Sequence, residues 1–250
     1  MTGRPPPTRL MALLAAIGLA TISAVGFAAD DPDAAQAEDN ADDTKALMTL
    51  GEKLVSEGNG EGAAACMACH GKDGAGKDGP GYPRLSGMNA DYMARQLADI
   101  AAGDRENAIM KPIASALSER ERRAASLYYA SQPVTDVEVE ADPETVEQGR
   151  MLGSYGDWSN KIPACTSCHG PGGRGVGSTF PAIAGQHPTY IEAQLKAWKS
   201  GKRHNDPNSL MKVVAQRLDA AEIEAVAAYF AGLPTTSQTS DDSSNSTSTE

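Results

Sequence analysis

The chain contains the same stretch twice. Pro83-Arg84-Leu85-Ser86-Gly87 returns as Pro181-Ala182-Ile183-Ala184-Gly185, 98 positions later. The same offset pairs Gly51 with Gly149, Tyr92 with Tyr190, Gln96-Leu97 with Gln194-Leu195, Gly103 with Gly201 and Arg105 with Arg203. Further on the offset grows to 101. It then pairs Met110-Lys111 with Met211-Lys212, Leu117 with Leu218, Tyr128 with Tyr229 and Pro133 with Pro234. The second copy therefore holds three extra residues in the loop before its Met. Two copies make a duplicated domain, since a solenoid needs at least three repeats.

The copies occupy 44–133 and 143–234, and what flanks them reads differently. Arg4 and Arg9 precede an apolar run from Leu10 to Val25, followed by Gly26-Phe27-Ala28. A positive head, a short apolar stretch and small residues at a cut site predict an export signal over 1–28. The run is short for a bilayer span, though an uncleaved signal would leave a membrane association. Residues 29–43 are acidic and Ala-rich without apolar periodicity, which predicts a disordered tether. Residues 235–250 are mostly Ser, Thr, Asp and Asn and predict a disordered tail. Between the copies, 134–142 alternates Val with polar residues and predicts an extended linker.

Each copy reads as helix. Thr44 is placed to cap a helix through Glu57, with Leu47, Leu50 and Leu54 on one face and Gly58 as its stop. A second helix spans 90–102 before Gly103, and its counterpart opens on Pro188 and stops at Gly201. The last helix of each copy opens on a capping box, Ser118-x-x-Glu121 and Asp219-x-x-Glu222, with Leu218 and Ile223 as a hydrophobic staple. Pro133 and Pro234 end these helices. The fold class is all-α.

Only 5% of the 250 residues are aromatic. Rings supply much of the buried area in ordinary cores, and domains this small need a staple or a cofactor when rings are scarce. The four Cys indicate which. They fall in two identical patterns, Cys66-Met67-Ala68-Cys69-His70 and Cys165-Thr166-Ser167-Cys168-His169. Cys-x-x-Cys-His is the attachment signature of c-type haem. Its two thiols form thioethers to the vinyl groups of one porphyrin, and the His that follows ligates the iron. The motif occurs twice, so two covalent haem c groups are expected, one per copy. A thioredoxin-like pair would need a βαβ pattern. A pooled four-thiolate zinc site or two disulfides would leave the repeated His unexplained.

Iron in electron carriers is often held by Met opposite His. Met110 and Met211 follow His70 and His169 by 40 and 42 residues and are paired by the repeat. They are the candidate sixth ligands, expected in loops. Met48, Met93 and Met151 fit helix faces as core filler, Met67 lies inside the thioether loop, and Met88 is a weak candidate. His187 and His204 are not repeated and read as surface or loop residues, with a bis-His second haem through His204 as the minor alternative.

With these residues in view, the chain resembles class I c-type cytochromes, and specifically the dihaem cytochrome c4 family. The resemblance rests on both CxxCH-Gly motifs, the Pro-x-Leu/Ile-x-Gly segments at 83–87 and 181–185, the Tyr-x3-Gln-Leu helices, the Gly-x-Arg turns and the two Met. It implies two all-α domains related by a pseudo-twofold axis, each wrapping one haem, with the haem edges approaching across the interface. It implies that the carbonyls of Pro83 and Pro181 hold the proximal His. It also implies that the first and last helices of each domain cross at Gly51 and Gly149, against Tyr128, Tyr129, Tyr229 and Phe230. Ser86-Gly87-Met88 departs from the family pattern that Ala184-Gly185-Gln186 follows.

The function implied is that of a periplasmic carrier of single electrons, from a quinol-oxidising cytochrome complex toward a terminal oxidase. A cytochrome subunit of a sulfur-compound or alcohol dehydrogenase is the alternative, and a dihaem peroxidase a third. Six-coordinate iron leaves no open position, so no catalytic residue and no small-molecule substrate are expected. Net charge is −11, and loss of Arg4 and Arg9 would make it −13. That disfavours nucleic acid and anionic membrane surfaces, and it suits redox partners docking through a basic patch.

Overall fold

The computed structural model describes residues 32–235, with side chains from 42 onward. The expected signal over 1–28 and the expected tail beyond Thr235 lie outside the described residues. Ten α-helices carry the described chain. They are α1 Pro32–Glu57, α2 Met67–His70, α3 Ala90–Ala102, α4 Met110–Ser115, α5 Glu119–Ala130, α6 Pro143–Tyr155, α7 Thr166–His169, α8 Pro188–Ser200, α9 Leu210–Arg217 and α10 Ala220–Ala231. Among the described residues there is no strand, only isolated bridges. The chain divides after Asp39, and both copies lie in the part that follows.

Helix α1 corrects one expectation. It opens at Pro32, inside the stretch assigned to a disordered tether, so Thr44 lies within the helix and does not start it. Proline suits a helix start, and alanine has the highest helix propensity. These local preferences outweigh the repulsion among the acids.

The two copies share one plan. Helices α3 and α8 stop at Gly103 and Gly201, which take φ of 101° and 78°. Both capping boxes close: Ser118 and Asp219 accept from the N–H groups of Glu121 and Glu222, whose carboxylates accept in return. Helix α10 packs on α6 and α8, and α5 on α3. The first and last helices of each copy meet at a glycine. A Cβ on Gly51 would stand 2.3 Å from the Ala124 carbonyl oxygen and 2.9 Å from Tyr128 Cβ. On Gly149 it would stand 2.0 Å from the Ala225 oxygen and 2.8 Å from Tyr229 Cβ. No side chain fits either crossing.

The cores differ. The second copy has one cluster around Ile162, Leu195, Trp198, Leu218, Ile223 and Phe230. The first has two smaller ones, around Leu54 and Leu117 and around Val55, Met93 and Tyr129. Met93 is core filler, whereas Met151 is 47% exposed, because the last turn of α6 presents it to solvent. The three extra residues of the second copy fall in a single 3-10 turn, Pro207–Ser209, with Asn208 and Ser209 at φ of 58° and 56°.

The copies meet through their Gly-x-Arg turns. Glu106 N–H donates to the Lys202 oxygen at 2.8 Å, and His204 N–H to the Asp104 oxygen at 3.0 Å. The repeat exchanges these two bonds, so they mark a local twofold axis. Around it lie contacts the repeat does not share. Arg84 donates to the carbonyls of Ala184 and Gly185, and Thr189 bonds Asp78. His187, expected at the surface, is buried. Its Nε2–H donates to the Ala75 oxygen at 2.9 Å, so docking of the two copies covers it.

Candidate cofactor site

Each Cys-x-x-Cys-His run folds into one helical turn. His70 N–H donates to the Cys66 oxygen at 3.0 Å, and His169 N–H to the Cys165 oxygen at 2.9 Å. At helical spacing, positions i, i+3 and i+4 share a face. The turn therefore presents Cys66, Cys69 and His70 together, and likewise Cys165, Cys168 and His169. All four thiols are free. Burial pushes the Cys66 thiol up and the Cys165 thiol up to about 11, so both rest protonated.

The loop after each turn folds back beneath the imidazole. Gly76 N–H returns to the His70 oxygen at 2.9 Å and Leu85 N–H to the Gly74 oxygen at 2.7 Å. Gly175 and Ile183 repeat the pattern on His169 and Gly173 at 2.6 and 2.7 Å. These bonds fix Pro83 and Pro181. His70 Nδ1 lies 3.1 Å from the Pro83 oxygen, and His169 Nδ1 lies 2.8 Å from the Pro181 oxygen. A carbonyl only accepts, so the proton sits on Nδ1 and the Nε2 lone pair is left free. Burial lowers both imidazole pKa values, only partly offset by the proline carbonyls. The rings are thus held neutral, in the tautomer that ligates a metal.

One cavity of about 480 Å³, lined from both copies, collects the sequence candidates. Its walls include the four Cys, His70, His169, Pro83, Pro181, Met110 and Met211. The two Met do not lie in loops. Met110 opens α4, and Met211 is the second residue of α9. Asn107 Oδ1 accepts from the N–H groups of Ile109 and Met110 at 3.1 and 2.9 Å. Asp206 Oδ2 accepts from Lys212 N–H at 3.0 Å. A polar side chain from the preceding loop thus accepts from the first turn of each short helix, whose Met lies at the cavity wall. Met88 also lines the cavity, but it is packed against Val55, Tyr128 and Tyr129. His204 is half exposed and faces Asp104 at 3.6 Å, so it offers no second axial nitrogen. Among the described residues no three His, Cys, Asp or Glu side chains converge as a metal cluster, and the pooled zinc site does not form.

The residues fit two covalently attached haems. Each wall offers two thiols on the face that carries a neutral imidazole, a thioether, and an apolar chamber. Sequence reasoning missed the polar floor of that chamber. Arg105 and Arg203 line it, 7% and 4% exposed. Arg105 donates to Gln96 at 3.2 Å, and across the interface to the Tyr190 hydroxyl at 2.6 Å and Gln194 at 2.8 Å. Arg203 mirrors it, donating to Gln194 at 2.9 Å, the Tyr92 hydroxyl at 3.1 Å and Gln96 at 2.9 Å. Burial, then the neighbouring Arg105, holds Arg203 below the usual guanidinium value. The signal was available: a charged residue and its glutamine and tyrosine partners recur at one offset.

The family model "Cytochrome c" matches residues 160–234, and "Cytochrome C oxidase, cbb3-type, subunit III" matches 53–128. A "thiosulfate dehydrogenase electron acceptor" of Stutzerimonas stutzeri is 44% identical over 73% of this chain and 86% of its own. A thiosulfate dehydrogenase from Marichromatium purpuratum has a TM-score of 0.71 and 41% identity. That match covers 75% of this chain and 40% of the other, so this chain spans less than half of that protein. Reduced recombinant cytochrome c4 from Pseudomonas stutzeri has a TM-score of 0.67 and 33% identity, over 75% of this chain and 98% of the other.

Proposed function

Since the chain belongs to the cytochrome c4 family, with two tandem cytochrome c domains, two covalent haem c groups and an electron-carrying role, we propose that it accepts electrons from a periplasmic thiosulfate dehydrogenase. The observation that carries this reading is the 41% identity to part of a longer protein that is itself a thiosulfate dehydrogenase. The 44% identical relative is an electron acceptor of such an enzyme. Export to the periplasm follows from the signal read in 1–28, and no described helix is long and apolar enough to cross a membrane.

Haem c supplies reversible one-electron iron chemistry when bound. The residues of this chain do the rest. Cys66 and Cys69, and Cys165 and Cys168, anchor one macrocycle each. His70 and His169 would hold the iron, oriented by the carbonyls of Pro83 and Pro181. Met110 and Met211 would supply the further ligands, and an iron so held would favour electron transfer without bond making. A second reading, transfer from a quinol-oxidising complex toward a terminal oxidase, draws on the match to 98% of a cytochrome c4 chain.

Mixing separates the two. Oxidised holoprotein is mixed with a thiosulfate dehydrogenase and thiosulfate, or with a quinol-oxidising cytochrome complex and its quinol, and haem reduction is followed. Faster reduction in the thiosulfate arm is expected. Reduction only in the quinol arm would reject the dehydrogenase reading.

A further inference from the structure

We infer that Asn59 with Arg122, and Arg217 with Lys199, are positioning residues that keep Met110 and Met211 in place as ligands by tying down the far end of each Met-bearing helix. The inference rests on the reading of those two Met as axial ligands. Helices α4 and α9 hold only 6 and 8 residues, and each carries its Met in the first turn. A helix this short is marginal on its own, and the last carbonyls of any helix lack partners within it. What holds the last turn therefore fixes the axis along which the first turn presents its Met.

In the first domain Arg122, from α5, donates through Nε to the Ala114 oxygen at 3.3 Å. Asn59 donates through Nδ2 to the Ala116 oxygen at 2.8 Å. Its Oδ1 accepts from the N–H groups of Glu61 and Ala63 at 2.9 and 3.0 Å. The end of α4 is thus joined to α5 and to the loop that runs into Cys66. In the second domain Lys199, from α8, donates through Nζ to the oxygens of Leu218 and Gln216, the latter at 3.4 Å. Arg217, the last residue of α9, donates through Nη1 to the Lys161 oxygen at 2.6 Å. That oxygen lies in the loop that runs into Cys165. A cation at this end also complements the helix dipole.

The repeat does not supply these ties. Its offsets pair Asn59 with Asp157, Arg122 with Ile223, Lys199 with Ala101 and Arg217 with Ala116. No position is shared. Yet each Met helix has one tie to a neighbouring helix and one to the loop before its Cys-x-x-Cys-His turn. Two unrelated sets of side chains meet one requirement, and what the two helices have in common is the Met that each carries. The ties join the segment bearing the sixth ligand to the segment bearing the Cys and the His, without passing through the macrocycle. Loosening them makes the sulfur easier to displace.

The test uses imidazole, a nitrogen ligand that competes for the sixth position of ferric iron. Ferric holoprotein is titrated with it, and loss of the Fe–Met absorption is followed. For Lys199→Met, half of that absorption is expected to disappear at an imidazole concentration about two- to fivefold lower than in the wild type, with the other half unmoved. Arg122→Met is expected to move the other half, and the double variant both. Lys199→Arg keeps a charged donor and is expected to restore the wild-type curve. Lys196→Met is the control, since Lys196 lies on the same helix and bonds Glu192. Unchanged curves for Lys199→Met and Arg122→Met, or an equal shift from Lys196→Met, would overturn the inference. A shift of both halves by Lys199→Met alone would also overturn it, because that marks a general loosening of the fold. A wild-type holoprotein without Fe–Met absorption would reject the ligand reading itself, and the inference with it.

Discussion

Gln186 clasps the backbone of Arg84 in both directions. Its Oε1 accepts from the Arg84 N–H at 2.8 Å, and its Nε2 donates to the Arg84 carbonyl at 3.0 Å. The side-chain amide thus does for Arg84 what a neighbouring strand would do, and it does so across the domain interface. The repeat position holds Met88, which packs into its own domain. The interface is therefore twofold at the Gly-x-Arg turns and one-sided at Arg84.

Replacing Gln186 by Met, the residue of the first copy, leaves two buried donors, the Arg84 and His187 N–H groups, and one acceptor, the Arg84 carbonyl, without these partners. Each costs about 1–3 kcal/mol. Urea unfolding of the holoprotein, followed at the haem absorbance and by circular dichroism, is expected to show the loss. Because the clasp joins domains, the single transition is expected to split toward two. An unchanged midpoint and slope would show that the clasp contributes nothing to docking.

Gly149→Ala forces a methyl to within 2.0 Å of the Ala225 oxygen. Overpacking of this kind costs roughly 1–3 kcal/mol or more, so the α6–α10 crossing is expected to open and the yield of haem-loaded protein to fall. Gly79→Ala is the control, since nothing lies within 4 Å of a Cβ there. Equal yields and equal unfolding midpoints for the two variants would contradict the crossing.

Met110→Ala and Met211→Ala are each expected to abolish one of two Fe–Met absorption signals, to open that iron to carbon monoxide, and to lower its potential. Visible spectra of the reduced variants with and without carbon monoxide provide the check. If a variant keeps both signals, the residue replaced is not the ligand, and Met88 is the next to substitute.

The acidic charge of the chain is not on the haem domains. Residues 44–133 hold 11 Lys and Arg against 11 Asp and Glu, and 143–234 hold 9 against 8. The excess lies in 29–43, with seven acids and no base, in the linker 134–142, with four acids, and in the tail, with three. Electron transfer from a partner docking through a basic patch is therefore expected to slow with added salt. Neutralising the acids of 29–43 and 134–142 is expected to flatten that dependence. A salt dependence kept in full by the neutralised protein would place the docking charge on the domains themselves.

Much of the fold was legible because it is local and written twice. The Ser118–Glu121 and Asp219–Glu222 boxes lie within four residues and need no tertiary context. Gly103 and Gly201 end their helices for a similar reason. The two Cys and the His of each run could be placed on one face from sequence because they lie within five residues, whereas Met110 and Met211, 40 and 42 residues further on, stood out only through the repeat. The start of α1 was misjudged because helix propensity and charge repulsion oppose each other over 32–43, and propensity won. Arg84, Gln186 and His187 were not legible, since the repeat differs there and their partners lie in the other domain. Arg105 and Arg203 stood in the repeat with no role attached, because only the docked structure shows that they are buried without an anion.

The most direct measurement is a spectroelectrochemical titration of the holoprotein, repeated under carbon monoxide. Two electrons per chain in two one-electron steps, both haems low-spin with Fe–Met absorption and neither binding carbon monoxide, is the result expected of a carrier whose two irons are closed by His70 with Met110 and by His169 with Met211. A single electron per chain, or one haem that is high-spin and takes up carbon monoxide, would contradict it.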